Sequence, residues 1–263
     1  MHIRALSLRI PVALLALLVS AACEVDFVPR AEAREEWKKS YPVTADGELT
    51  IENSIGKIVV KPGTGNTVEV VATRIAKAGS DEAAKKLLAD HKIEETVTGS
   101  SVRLSSRATL RSFGGGQTQV DYEVRAPAGM TLKLSTRNGT IEVSDWNGRV
   151  EMSATNGTLT GAGLTGEVEA NTTNGKVDLT LAALPDRGVN VETTNGRVSI
   201  VLPKDAKGRV VARVTNGAIE VEGLNAEPSS SNTRRRYEAA LNGGGDATIS
   251  VETTNGAITV RGS

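Results

Sequence analysis

The feature that most constrains this chain is a repeat in one fixed frame: Asn-Gly recurs at Asn138, Asn156, Asn174, Asn195, Asn216 and Asn255, at spacings of 18, 18, 21, 21 and 39 residues. Six residues before each Asn stand Leu132, Val150, Val168, Val189, Val210 and Ile249; four before it stand Leu134, Met152, Ala170, Val191, Ala212 and Val251. Three after it come Ile141, Leu159, Val177, Val198, Ile219 and Ile258, and at plus five Val143, Gly161, Leu179, Ile200, Val221 and Val260, where only Gly161 departs. Strict alternation on both sides of Asn-Gly reads as strand, corner, strand, each strand with one buried face. A looser corner lies nine residues before the next Asn, at Asn147, Thr165, Asp186, Lys207 and Asp246. The same frame opens the chain in Leu49-x-Ile51-x-Asn53-x-Ile55-Gly56-x-Ile58-x-Val60.

Two all-β folds produce this pattern. In an antiparallel β-meander or sandwich each Asn-Gly is a tight hairpin turn. In a β-solenoid, single-stranded and β-helix-like with about 18–21 residues per rung, the chain winds on and like corners stack. Recurrence of Thr-x-Asn-Gly at alternate corners favours the solenoid, because identical side chains then lie about 4.8 Å apart and form columns. The expectation is a corner ladder of the six Asn, joined by Thr136, Thr172, Thr193 and Thr253.

The alternation is interrupted three times. Ser80 to Lys92 reads as one short amphipathic helix, with Ser80 as N-cap and Asp81 and Glu82 in the first turn. It covers a sheet face or an open end, and His91 at its end is expected to be solvent-exposed or to cap the C-terminus. Gly223 to Gly245 is an insertion carrying Arg234, Arg235 and Arg236, either a solvated loop or an anion contact. Ser112 to Gln117 marks a glycine-rich loop with no phosphate-binding helix after it. Trp146, of outward parity, is either a surface contact that stacks a sugar or a plate across neighbouring rungs. On the outer faces, Glu142, Thr160, Asp178, Ser199, Glu220 and Thr259 interleave acids with hydroxyls, and the column three before the Asn ends Glu192, Arg213, Glu252, alternating in sign.

Composition narrows the function. Lys and Arg number 31 against 31 Asp and Glu, so no basic footprint points to nucleic acid. One cysteine, Cys23, and two histidines, His2 and His91, build neither a disulfide framework nor a zinc site, so no cofactor or metal is expected. Two Trp, three Tyr and two Phe are few for a sugar cleft, which weighs against an enzyme. Arg4 and Arg9, the uncharged run Ile10 to Val19 and the small residues Ser20, Ala21 and Ala22 form the layout of a secretory signal peptide, too short to span a membrane. The expected organisation is signal peptide 1–22, lipid anchor or linker 23–40, and β-solenoid domain 41–263.

Cys23 after those small residues resembles the lipobox of bacterial lipoproteins, which implies a diacylated cysteine at the new N-terminus and membrane lipid as a partner. Ser20 stands where that family usually has Leu, so ordinary cleavage and a secreted or periplasmic protein stay open. Tyr41-Pro42-Val43 leading into Leu49-x-Ile51-x-Asn53, the step Val124-Arg125-Ala126-Pro127-Ala128-Gly129 and the Thr-x-Asn-Gly frame together resemble a bacterial adhesin-like domain family of unknown function, built of β-strand repeats, over residues 40 to 262. That resemblance implies a non-enzymatic exported cell-envelope scaffold for adhesion, surface interaction or envelope sensing, with an envelope polymer or protein as partner. The alternative is a secreted β-helical polysaccharide-active hydrolase or lyase, which would need two carboxylates at a defined separation.

Overall fold

The computed structural model describes residues 31–107 and 116–263. The leader, Cys23 and most of the glycine-rich loop at 112–117 lie outside the described residues. In chain order the elements are β1 (Ala31–Pro42), β2 (Glu48–Ile55), β3 (Ile58–Pro62), β4 (Thr67–Ala78), α1 (Asp81–Asp90), β5 (Glu94–Thr98), β6 (Ser101–Ser106), β7 (Gln117–Ala126), β8 (Thr131–Ser144) and β9 (Val150–Leu164). There follow β10 (Val168–Asn174), β11 (Val177–Leu181), β12 (Val189–Asn195), β13 (Val198–Leu202), β14 (Gly208–Asn216), β15 (Ile219–Glu222), β16 (Ala226–Pro228), β17 (Arg236–Leu241), β18 (Thr248–Asn255) and β19 (Ile258–Gly262).

The repeat winds as a β-solenoid. Each coil lends one strand segment to a face before the Asn-Gly corner, face A, and one to a face after it, face B. Neighbouring coils pair in parallel and in register, Asn138 with Asn156, Asn156 with Asn174 and Asn174 with Asn195. A meander would pair them antiparallel. The alternating aliphatics of both faces meet in one core: Leu132, Val150, Ile141, Leu159, Val177, Val191 and Ile200 are fully buried.

Glycine after each Asn is a steric requirement of stacking rather than of a hairpin turn. A Cβ on Gly157 would stand 1.7 Å from the Gly139 carbonyl oxygen, one on Gly175 1.7 Å from Gly157 O, and one on Gly196 1.6 Å from Gly175 O. Corners approach too closely for any side chain there.

Stacking order departs from chain order near both ends. Coil β18–β19 inserts between β12–β13 and β14–β15: Asn195 pairs with Asn255, which pairs with Asn216. At the other end β2–β3 lies between β8 and the outermost pair, β6 with β7. Antiparallel strands then finish the stack. β5 covers β6 on face A, and β4 followed by β1 covers β7 on face B. The 223–245 insertion forms a hairpin in which β17 pairs antiparallel with β14 and β16 covers β17, so it closes face A rather than floating as a loop. β15 pairs only with β19 and ends face B.

Residues 31–40, expected as linker, form most of β1 and pair with β4. Helix α1 packs Ala84 against Ala31 and Ala78 of that strand pair, and Ser80 Oγ accepts from Ala83 N at 3.2 Å. Its last turn lacks a basic residue; Arg74 of β4 supplies one, donating from Nη2 to Leu88 O at 2.5 Å. His91 is buried at 3% exposure, so of the two expectations the capping role is the one observed: it is the C-cap, and its backbone N–H closes the helix on Leu87 O and Leu88 O.

Candidate functional site

The most regular surface of the molecule runs along the Asn-Gly corners. Asn156 Nδ2 donates to Asn138 Oδ1 at 2.9 Å, Asn174 to Asn156 at 2.9 Å, Asn195 to Asn174 at 2.9 Å, Asn255 to Asn195 at 2.8 Å and Asn216 to Asn255 at 2.9 Å. Every amide donates in the same direction along the axis, an arrangement in which successive bonds polarise one another. In the first coil Ile55 takes the Asn place, opposite Asn138, and ends the ladder. Asn53 stands opposite Thr136 and is buried, donating to Val120 O at 2.8 Å and accepting from Ser106 at 2.8 Å. Beside them Tyr122 is fully buried, and burial pushes its hydroxyl up to about 12 despite an opposing contribution from Ser106.

The threonines expected to join this ladder do not. Thr136, Thr172, Thr193 and Thr253 are buried; Thr172 and Thr253 reach corner carbonyls of Gly157 and Gly196 at 3.5 and 3.4 Å, while the hydroxyls of Thr136 and Thr193 have no partner among the described residues. They point into the core, whereas the Asn side chains two residues on stand outside the corner. The sequence reading missed a different column, the residue just before each Asn. Thr155, Thr173, Thr194, Thr254 and Thr215 are all exposed and stack in that order beside the Asn ladder. Its signal, Thr-Asn-Gly in five of the six repeats, was available.

Interleaving also rearranges charge on face A. Glu192 pairs with Glu252, and Arg213 lies beyond Glu252, so the anticipated alternation in sign fails and two glutamates sit side by side. Among the described residues neither carboxylate has an ion-pair or hydrogen-bond partner. Elsewhere on this face acids are compensated: Arg149 reaches Glu151, Glu167 and Glu169 at 2.7, 2.6 and 3.2 Å, and Lys133 reaches Glu48 at 2.7 Å. The glutamates line an open groove of about 290 Å³ with Ser153, Asn171, Thr173 and Thr194. Asn171 donates to Glu169 at 3.2 Å, and its own Oδ1 is buried without a donor among the described residues.

The remaining candidates are scattered. Trp146 is fully buried and donates from Nε1 to Met130 O at 2.8 Å, so it is not a surface contact. Asp145 before it has φ 52, and that left-handed residue breaks the alternation that gave Trp146 outward parity. Arg234, Arg235 and Arg236 are exposed at the insertion hairpin, where Arg236 pairs with Glu238 at 2.9 Å. Among the described residues no group of three or more His, Cys, Asp and Glu is placed to hold a metal, and no helix is long and apolar enough to cross a membrane.

Parallel coils, a glycine-walled corner and unbroken polar columns define a β-solenoid repeat scaffold. The chain belongs to the Toastrack DUF4097 family, which it matches over residues 44–261. Solved structures similar to it include a proposed cell adhesion protein from Clostridium sporogenes, 15% identical over 87% of this chain and 100% of that one, with a TM-score of 0.46. A proposed adhesin from Bacteroides fragilis is 9% identical over 88% of this chain and 99% of that one, with a TM-score of 0.43. No curated protein matches the chain.

Proposed function

We propose that the protein is a non-enzymatic, exported cell-envelope scaffold whose corner strip and adjoining part of face A contact a linear envelope polymer. The observation that carries this reading is the unbroken pairing of a six-residue Asn ladder with a five-residue Thr column. Donors and acceptors recurring every ~4.8 Å along a rigid axis suit a partner that is itself repetitive. Export and membrane attachment through an acylated Cys23 are part of the proposal, and mass spectrometry of the mature N-terminus tests them: an unmodified terminus at another residue removes the anchor.

Glu192 beside Glu252 favours a second reading, a polysaccharide-active enzyme, since retaining glycosidases hold two carboxylates about 5–5.5 Å apart. The groove is open, however, and among the described residues nothing encloses a sugar ring there. Incubation with a panel of envelope glycans separates the two. Binding without turnover, weakened when Thr173, Thr194 and Thr254 are changed to Ala, supports the scaffold. Release of reducing ends that Glu192→Gln abolishes establishes the enzyme.

A further inference from the structure

The chain contains eight Asn-Gly pairs, the six of the ladder together with Asn147-Gly148 and Asn242-Gly243. In such a pair the glycine amide nitrogen can attack the asparagine Cγ. The nitrogen loses its proton to base, the Cγ–N bond to the side-chain amide breaks, and ammonia leaves. Water then opens the resulting succinimide at either carbonyl to give aspartate or isoaspartate. Two things prevent this in a folded chain: a hydrogen bond that holds the glycine N–H, and side-chain bonds that hold the amide away from it.

Along the stack the glycine N–H is held at every pair but the last, and each ladder Asn is held by at least one side-chain bond to its neighbour. Gly175 N–H donates to Asn195 O at 2.9 Å, Gly196 to Asn255 O at 2.9 Å, and Gly256 to Asn216 O at 3.0 Å. Gly139 and Gly157 lie inside the continuous strands β8 and β9, and Gly148 N–H donates to Ala128 O at 2.9 Å. Each ladder glycine uses the coil beyond it, so the outermost coil at this end has none to use. Gly217 N–H is without an acceptor among the described residues, and the Asn216 side chain is held by its single bond to Asn255. Gly243 N–H is also unbonded, but Asn242 is clamped: its Nδ2 donates to Lys204 O and Ala206 O at 2.8 and 2.9 Å, and its Oδ1 accepts from Asn225 at 3.1 Å.

We infer that Asn216 is a built-in site of spontaneous deamidation and isoaspartate formation, and that stacking protects six of the other pairs while the side-chain clamp protects Asn242. Conversion there replaces the terminal ladder donor by a carboxylate facing Asn255 Oδ1, so the last link opens. An isoaspartate also adds a methylene to the backbone that supplies the acceptor for Gly256 N–H, which makes Asn255 the next pair to react.

The test is peptide mapping by mass spectrometry during incubation of the folded protein in mildly alkaline buffer, beside a sample kept unfolded in urea. In the folded protein Asn216 is expected to convert at least about tenfold faster than any other Asn-Gly pair, Asn255 following after a lag, while in urea the differences collapse to a few-fold. Folded-state conversion of Asn216 no faster than that of Asn174 or Asn195 overturns the inference. So does conversion led by Asn242, because side-chain clamping would then not be the deciding lock.

Discussion

From Leu132 to Leu181 every coil lies on the one that precedes it in the chain, whereas beyond Leu202 the coil 248–262 lies on 189–202 and is itself covered by 208–222. Both regions use the same glycine corner, the same ladder Asn and the same alternating aliphatics. Local frame therefore fixes register, since a slip of one residue would turn every aliphatic outward. It does not fix neighbours, because any coil of this frame fits against any other. What selects the order is the route of the chain between coils: the hairpin β16–β17, paired to β14, carries the chain back over face A and leaves β18 on the inner side of β14.

The sharpest way to break this contrast is to remove the inserted coil. Deleting residues 246–263 takes Ile249, Val251, Ile258 and Val260 out of the core, a loss of about 6–12 kcal/mol of burial. It should unfold 189–222 while 131–181 keeps slow amide exchange. A uniform loss of protection across both regions would show that they are one cooperative unit. Next in size is the glycine corner. Gly175→Ala drives a Cβ to within 1.7 Å of Gly157 O and should cost more than about 3 kcal/mol in denaturant melts. Gly65→Ala, with φ +76 but open space around it, should cost about 1–2 kcal/mol.

Smaller again is the ladder. Asn174→Ala removes two side-chain bonds and should cost about 1–2 kcal/mol, and Asn138→Ala, which removes one, about half as much. Equal costs would mean that the exposed bonds add nothing. The pH dependence probes the opposite end. Burial, reinforced by the charge of Arg74 and opposed by a backbone bond at Arg107, holds His91 below its ordinary 6.5. Its unfolded form takes up a proton more readily, so this contribution is fully present above pH 6.5 and is lost as pH falls through the folded value. Acid melts should therefore show α1 losing protection early, and His91→Gln should flatten the slope. The smallest effect is that of Glu252→Gln, which relieves the pairing with Glu192 and should stabilise by about 0.5 kcal/mol at low salt, less at high salt.

Winding, corner and inward columns were legible because they depend on spacing alone. The Thr column at 155, 173, 194, 254 and 215 was equally present in the sequence, and reading inward positions first hid it. Three features had no local signal. Glu192 and Glu252 are 60 residues apart and meet only through coil order. Trp146 turns inward because one residue, Asp145, is left-handed. His91 is buried because β1 and β4 extend the stack antiparallel beyond the repeat and give α1 a surface to pack on.

The inserted position of β18–β19 changes how this end of the molecule can open. In a spool wound in order, the final turn peels from its free tail. Here the outermost turn, 208–222, is tethered in the chain on both sides, and the segment that follows it is gripped along both edges. Opening must then proceed as the bulging of a closed loop, whose entropy grows only with the logarithm of its length.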